Sequence, residues 1–361
     1  MLFAVRQELL FNQERAVAMR RWELRLAWVG LMSLAGAASL EAQAPTVTVG
    51  GVAYAQFAYQ LKDTANHSNN FDVTRAYLNV IGRFAYGIGT RVTADIYRNA
   101  DGSLAYRLKY AYATWTPKDG KSPLTFKLGQ IHTPWIDWEE HLWDYRMQGQ
   151  MALERAGYMS SSDFGAGIDG MWGFDRFNFQ VGVYNGENYN KAPGDQRKDL
   201  MGRASFRLLG SDEGGRDGGL RLTGYAQLGK PTGGGTRRRF IGMLSYRSKA
   251  LTLAAEFAAT KDSALTAPVT PRKDGRVLSF FGVVRVPKSK VQIIGRLDST
   301  DPNTDASNDR TTRIIGGVAF QQSANLRVLA DLDHLIYQGG VTTPALEAVR
   351  SQALLQVQFS F

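Results

Sequence analysis

From residue 46 to Phe361 the chain is a succession of segments in which apolar and polar side chains alternate with a period of two, most of them about ten residues or longer. That period places successive side chains on opposite faces of a strand, so each segment has one apolar and one polar face. Residues 71–84 set Ala76, Leu78, Val80, Gly82 and Phe84 against Arg75, Tyr77, Asn79 and Arg83. Residues 89–98 set Val92, Ala94 and Ile96 against Arg91, Thr93 and Asp95, and 106–116 set Tyr106, Leu108, Tyr110 and Tyr112 against Arg107 and Lys109. The last segment, 350–361, opposes Ala353, Leu355, Val357, Phe359 and Phe361 to Arg350, Gln352, Gln356 and Gln358. Strands in soluble sheets average about five to six residues, whereas a tilted strand needs about 9–11 to cross the hydrocarbon of a bilayer. A soluble β-sandwich and a membrane barrel share the alternation, and the length of the segments favours the barrel.

The spacing predicts strands over 46–61, 71–84, 89–98, 106–116, 124–131, 165–174, 176–185, 199–209, 220–229, 238–247, 250–260, 276–287, 289–299, 312–322, 325–336 and 350–361. Connections after odd-numbered strands run from 7 to 33 residues and those after even-numbered strands from 1 to 10. Alternating long and short connections with an even strand count is the signature of an antiparallel up-and-down barrel with short periplasmic turns and longer extracellular loops. A sandwich has no reason to produce it. The longest connection, 132–164, leaves room for a concealed strand at Met151–Met159, which keeps eighteen strands open beside sixteen. Trp138, Leu142 and Tyr145 stand at helical spacing within it and predict a short helix.

Composition removes other classes. The absence of Cys excludes disulfides, thiolate nucleophiles and cysteine-ligated metals. Four histidines in no ligand-like spacing point to no metal, and nothing in the sequence calls for a cofactor. No run reaches the roughly 18 apolar residues of a membrane-spanning helix. The apolar stretch Leu26–Leu40 follows Arg20, Arg21 and Arg25 and precedes Ala42 and Ala44, the order of a signal peptide. Met19 opens that pattern better than Met1 does, so residues 1–44 are expected to be upstream sequence and signal peptide, and 45–361 one barrel domain in an outer membrane. Export argues against nucleic acid as a partner.

Lys and Arg number 43 against 33 Asp and Glu, a net charge of +10 that favours anionic partners. The inward faces expected here carry Arg75, Arg91, Arg107, Lys109, Lys127, Arg203, Arg207 and Arg221 as candidate pore-lining residues along an anion path. The first five would form a basic wall opposite the long third loop, which supplies Asp137, Glu139, Glu140 and Asp144 with Arg146 and Arg155. Such an arrangement would set a transverse field across a constriction. Arginines paired with lumen carboxylates such as Asp95, Asp298, Asp331 and Asp333 are the ordinary alternative for any single position. Trp115 and Trp172, near strand ends, are expected in an interfacial belt. Trp135, Trp138 and Trp143 in the loop either pack it or offer a sugar-stacking surface. His334 with Asp331 and Asp333 is the one strand cluster with general-base chemistry.

FDVTRAYLNVIGRF at 71–84, TRVTADI at 90–96, LGQIHTPW at 128–135 and YNGEN at 184–188 resemble the phosphate-selective porin O and P family of bacterial outer-membrane porins. The resemblance implies a sixteen-stranded homotrimeric anion channel in outer-membrane lipid, with its third loop folded into the lumen. The terminal Phe361 after QVQFS resembles the signal read by the barrel-insertion machinery. The acidic residues of the third loop depart from the basic constriction of phosphate-selective members, so small inorganic or organic anions, with phosphate among them, are the implied solutes. A general or sugar-admitting porin and an outer-membrane barrel enzyme stay open beside this.

Overall fold

The computed structural model describes residues 44–361 apart from 193 and 267. The signal sequence expected over 1–44 lies, but for Ala44, outside the described residues. The strands are β1 (Thr46–Gln60), β2 (Asn69–Arg83), β3 (Ile88–Arg98), β4 (Leu104–Trp115), β5 (Leu124–His132), β6 (Ser162–Trp172), β7 (Phe177–Tyr184) and β8 (Asp199–Leu209). They continue as β9 (Gly219–Gly229), β10 (Gly235–Arg247), β11 (Leu251–Ala264), β12 (Thr270–Arg285), β13 (Val291–Asp301), β14 (Thr311–Gln321), β15 (Leu326–Tyr337) and β16 (Ser351–Ser360). Each pairs antiparallel with its sequence neighbours, and β16 closes on β1. Sixteen strands satisfy every edge, so no strand is left open to the lipid.

The eighteen-strand alternative falls: the residues that might have held another strand form α2 (Ala152–Arg155), and α1 (Pro134–Leu142) carries the helical spacing of Trp138 and Leu142. Pro134 opens α1 at its first position, where its missing N–H costs nothing. A third short helix, α3 (Pro344–Val349), lies between β15 and β16. β12 starts six residues earlier than the alternation indicates, because it pairs with β11 as far as Ala264 beyond the apolar band.

The outward face is lipid-like: Leu222, Phe240, Leu253, Phe257, Phe280, Ile293 and Leu332 are all exposed. Trp115 stacks on Phe126 at 5.6 Å, and Trp172 on Phe179 at 5.5 Å, at the short-turn end, the place of an aromatic girdle. Register shifts interrupt four of the strand pairs, and one of them re-aims the inner face. The one between β3 and β4 leaves Lys109 as an extra residue between Tyr110, opposite Thr93, and Leu108, opposite Ala94. It turns Tyr110 and Tyr112 inward, against the outward position that strict alternation implies, so Lys109 and Tyr110 both point into the lumen.

Candidate functional site

The connection from β5 to β6 does not stay at the rim. Its neck is closed by Thr133, whose N–H donates to the Ser161 carbonyl at 3.1 Å and whose hydroxyl donates to the Ser160 carbonyl. Beyond the neck, Trp135, Ile136, Trp138, Leu142, Trp143, Tyr145, Met151 and Leu153 are fully buried. They pack on inward residues of strands around the far side of the barrel, among them Tyr225, Ile241, Met243, Ala258, Val277, Phe281, Ile294 and Leu329. A segment that touches β8 through β15 from one origin lies inside the lumen. The three loop tryptophans therefore belong to a core and offer no sugar-stacking surface.

Polar anchors fix the loop at defined heights. Arg296 on β13 donates to both oxygens of Asp298 at 2.9 Å, to Glu139 at 3.0 Å and to Ser279 at 3.3 Å, while its guanidinium lies 5.5 Å from the Trp143 ring. Arg155 also donates to Asp298, to Oδ2 at 3.3 Å. At the short-turn end, Asp144 accepts from Arg247 at 3.1 Å and from Arg285, and its carbonyl accepts from Arg327 at 2.6 Å. Asp137 accepts from Arg216 at 2.8 Å, and Tyr145 donates to Gln292 at 2.5 Å. Burial works against the Asp137 carboxylate, but Arg216 and the histidines beside it outweigh that cost and hold it below the usual range. Of the loop carboxylates, then, Asp137, Glu139 and Asp144 are held by cations of the opposite wall and the turns. Glu140 and Glu154 pair with Arg146 inside the loop, at 2.7 and 2.9 Å.

Those last three residues face the uncovered wall, β2–β5. Here five cations stand on the inner wall: Arg107, Arg75, Lys109, Arg91 and Lys127. Two carboxylates answer them. Asp95 takes Arg75 at 3.1 Å and Arg107 at 3.8 Å, and Asp169 takes Lys127. Arg91 donates only to neutral groups, Asn79 and Thr93 at 3.0 Å each, and lies 3.3 Å from His132. Lys109 donates to the Tyr77 hydroxyl at 3.3 Å and sits 4.6 Å from that ring. Neither has a carboxylate within ion-pairing distance among the described residues. Tyrosine rings interleave the cations: Tyr110 under Arg91 at 4.8 Å, and Tyr189 beside Arg107 at 4.8 Å. Sequence reasoning missed Tyr110, because the bulge at Lys109 leaves no mark in the alternation, and Tyr189, because it stands in a connection outside the strand pattern.

The remaining candidates lie elsewhere. Arg203 is buried beneath Trp138, 4.5 Å from its ring, and donates to Asn178. Arg221 is fully buried and donates to the carbonyls of Gly218 at 3.0 Å and Asp175 at 2.7 Å, and Arg207 donates to the Phe174 carbonyl at 2.8 Å. Both thus brace the short turns 173–176 and 210–218. His334 points outward and Asp331 and Asp333 inward, so the one strand cluster with general-base chemistry does not converge.

Arg296 stands among three carboxylates, those of Glu139, Asp298 and the inward Glu256, which is 2% exposed. Burial pushes Glu139 up to about 7 despite Arg296. Since its folded value lies above the 4.5 of the free side chain, its contribution to loop docking is fully present below about pH 4.5 and is lost as pH rises through about 7. We expect the detergent-unfolding midpoint of the barrel to fall between pH 4.5 and 8, and the Glu139→Gln variant to lose most of that slope. An identical slope in the variant would remove Glu139 as its source.

A closed sixteen-stranded barrel with a lipid-like exterior, an aromatic girdle and a loop-narrowed lumen defines an outer-membrane channel. Residues 47–283 match the phosphate-selective porin O and P family, and the chain belongs to that family. Among solved structures, the fold is similar to the anion-selective porin from Comamonas acidovorans, at 14% identity and a TM-score of 0.65 over 88% of this chain and 100% of that one. It is also similar to the trimer form of OmpT from Vibrio cholerae, at 12% identity and a TM-score of 0.60 over 88% and 100% of the two chains. The outer-membrane channel DcaP of Acinetobacter baumannii aligns at 10% identity with a TM-score of 0.57, over 88% and 97%. No curated protein sequence matches the chain.

Proposed function

We propose that this porin passes small anions in preference to cations along the β2–β5 wall, between that wall and the Glu140–Arg146–Glu154 face of the loop. One observation carries the reading: Arg91, half-buried, and Lys109, buried beside Tyr77, stand on the inner wall with no carboxylate partner among the described residues, so their charge is left uncompensated beside the path. The Arg91 guanidinium would replace part of an oxyanion's hydration shell, with the buried Lys109 adding its field from behind the wall surface. The test is the reversal potential of the refolded barrel in a planar bilayer under a potassium chloride gradient. An anion-selective sign supports the reading, and block by millimolar phosphate would add oxyanion binding; a cation-selective or zero potential overturns it. The buried loop tryptophans remove the platform on which a sugar-admitting reading rested.

Three copies are the second part of the proposal, resting on the small side chains of the β1–β4 exterior. Ala53 lies opposite Ala76, and Ala55, Ala94, Ala111 and Ala113 stand on the same outward face, among the larger Leu78, Val80, Val92 and Leu108. Small residues let apolar surfaces in a membrane approach closely. The trimer form of the Vibrio cholerae protein agrees with it. Ala111→Trp keeps an apolar exterior but puts a large side chain among them, and should convert the detergent-extracted assembly to monomers by light scattering; an unchanged mass would place the contact elsewhere.

A further inference from the structure

On the outward face of β7–β11 lies an apolar groove of about 970 Å³. Gly202, Gly224 and Gly242 form its floor, and Phe206, Leu222, Phe240 and Phe257 its walls. Gly224 and Gly242 are cross-strand partners, and a Cβ at either would meet nothing within 4 Å, so the floor is open space rather than a packed seam. At the long-loop end the groove runs directly into cations on the same outward face. Arg276 is the cross-strand partner of Ala259, which lines the groove, and Arg238 stands two residues above Phe240 with Lys261 as its partner across the strand pair. Two carboxylates stand among them: Asp274, 3.5 Å from Lys261 and 3.0 Å from Arg272, and Asp301, the partner of Arg276 across the β12–β13 pair, which is taken by Arg310 at 3.2 Å. Arg238 and Arg276 are exposed and form no ion pair among the described residues. Below Arg276 the outward side chains of β12 are Leu278, Phe280 and Val284, so these cations mark the edge of the hydrocarbon band, at the height of headgroups. A second outward groove, of about 730 Å³ on β9–β14, contains one cation, Arg296, and that side chain is engaged inside the barrel.

We propose that this face holds a phosphorylated, multiply acylated lipid of the outer leaflet, with acyl chains in the glycine-floored groove and phosphate on Arg238, Lys261 and Arg276. The charge complementarity is local to the groove that has the cations above it. It follows the rule that basic clusters at a membrane edge recognise anionic headgroups, while the glycine floor supplies the depth for hydrocarbon. The lipid would brace β8–β11, the strands on which the lumen loop is packed.

The test is native mass spectrometry of the refolded barrel with lipid A, a bisphosphorylated acylated glucosamine disaccharide, and with the same lipid dephosphorylated. One lipid A per chain is expected to stay bound, and the dephosphorylated form is not. Arg238→Ser with Arg276→Ser should lower retention about tenfold or more, and Gly242→Leu, which fills the groove without meeting its neighbours, should do the same. Single-channel conductance should be unchanged in both variants, since every substituted side chain points away from the lumen. Equal retention of both lipids, or undiminished binding by the double arginine variant, would overturn the proposal. So would a change of oligomeric mass in Gly242→Leu, because the groove would then be holding a second copy of the chain.

Discussion

Replacing Arg296 by methionine should release the lumen loop and widen the channel. The guanidinium is the hub of the anchor: it bridges Glu139 on the loop to Asp298 on the wall, meets Ser279, and lies beside the Trp143 and Phe281 rings, 5.5 and 5.3 Å from their centres. Methionine preserves apolar contact with the rings but leaves Glu139, Glu256 and Asp298 as buried carboxylates without that cation. Breaking one side of a buried pair costs roughly 3–5 kcal/mol. The backbone hydrogen bonds between strands are untouched, so most of the cost falls on docking of the loop. We expect the single-channel conductance to rise several-fold with frequent flicker and the barrel to remain heat-modifiable in detergent. Arg296→Met combined with Glu139→Gln and Glu256→Gln removes the uncompensated charge and should recover most of the parental conductance. If the single variant conducts like the parent, the loop is held by its tryptophan core alone.

That distinction also explains what the sequence made legible. Alternation over 71–84 and 350–361 reports a wall with lipid on one side and water on the other, and there the strands, their faces and the closing pair β1–β16 follow directly. Along β12–β14 the pattern is different: Phe280-Phe281, Val283-Val284, Ile293-Ile294 and Ile314-Ile315 are consecutive apolar pairs. Their presence signals strands buried on both faces, by lipid outside and by the loop inside. Such pairs identify the half of the barrel that the loop covers, and their scarcity in β2–β5 identifies the half left open. The charge partners were not readable. Asp144 meets Arg285 from 141 residues away and Glu139 meets Arg296 from 157, so nothing in local spacing separates a loop acid facing the pore from one clamped to the wall. The bulge at Lys109 is a third case, since one unpaired residue reverses the facing of everything beyond it while composition stays the same.

Reversing the two unpartnered cations of the open wall should reverse the selectivity of the channel. Arg91→Glu and Lys109→Glu each change the local charge by two, four elementary charges in all. An ion passing at about 6 Å through water interacts with each unit charge by ~0.7 kcal/mol, so the swing is about 2.8 kcal/mol before screening. In 0.1 M salt, with a Debye length of about 10 Å, roughly half of this survives, about tenfold in the passage of an anion and as much in the opposite sense for a cation. The reversal potential under a potassium chloride gradient should therefore change sign. Neutral replacements, Arg91→Ser with Lys109→Ser, should fall between the two and guard against a folding defect, because they introduce no new charge beside Asp95 or Glu140. The Arg207 and Arg221 pair offers the contrast: tied to carbonyls of the turns, their replacement by methionine should lower thermal stability and leave the potential where it was. An unchanged potential in the double glutamate variant, with conductance intact, would move the path of the ions away from β2–β5.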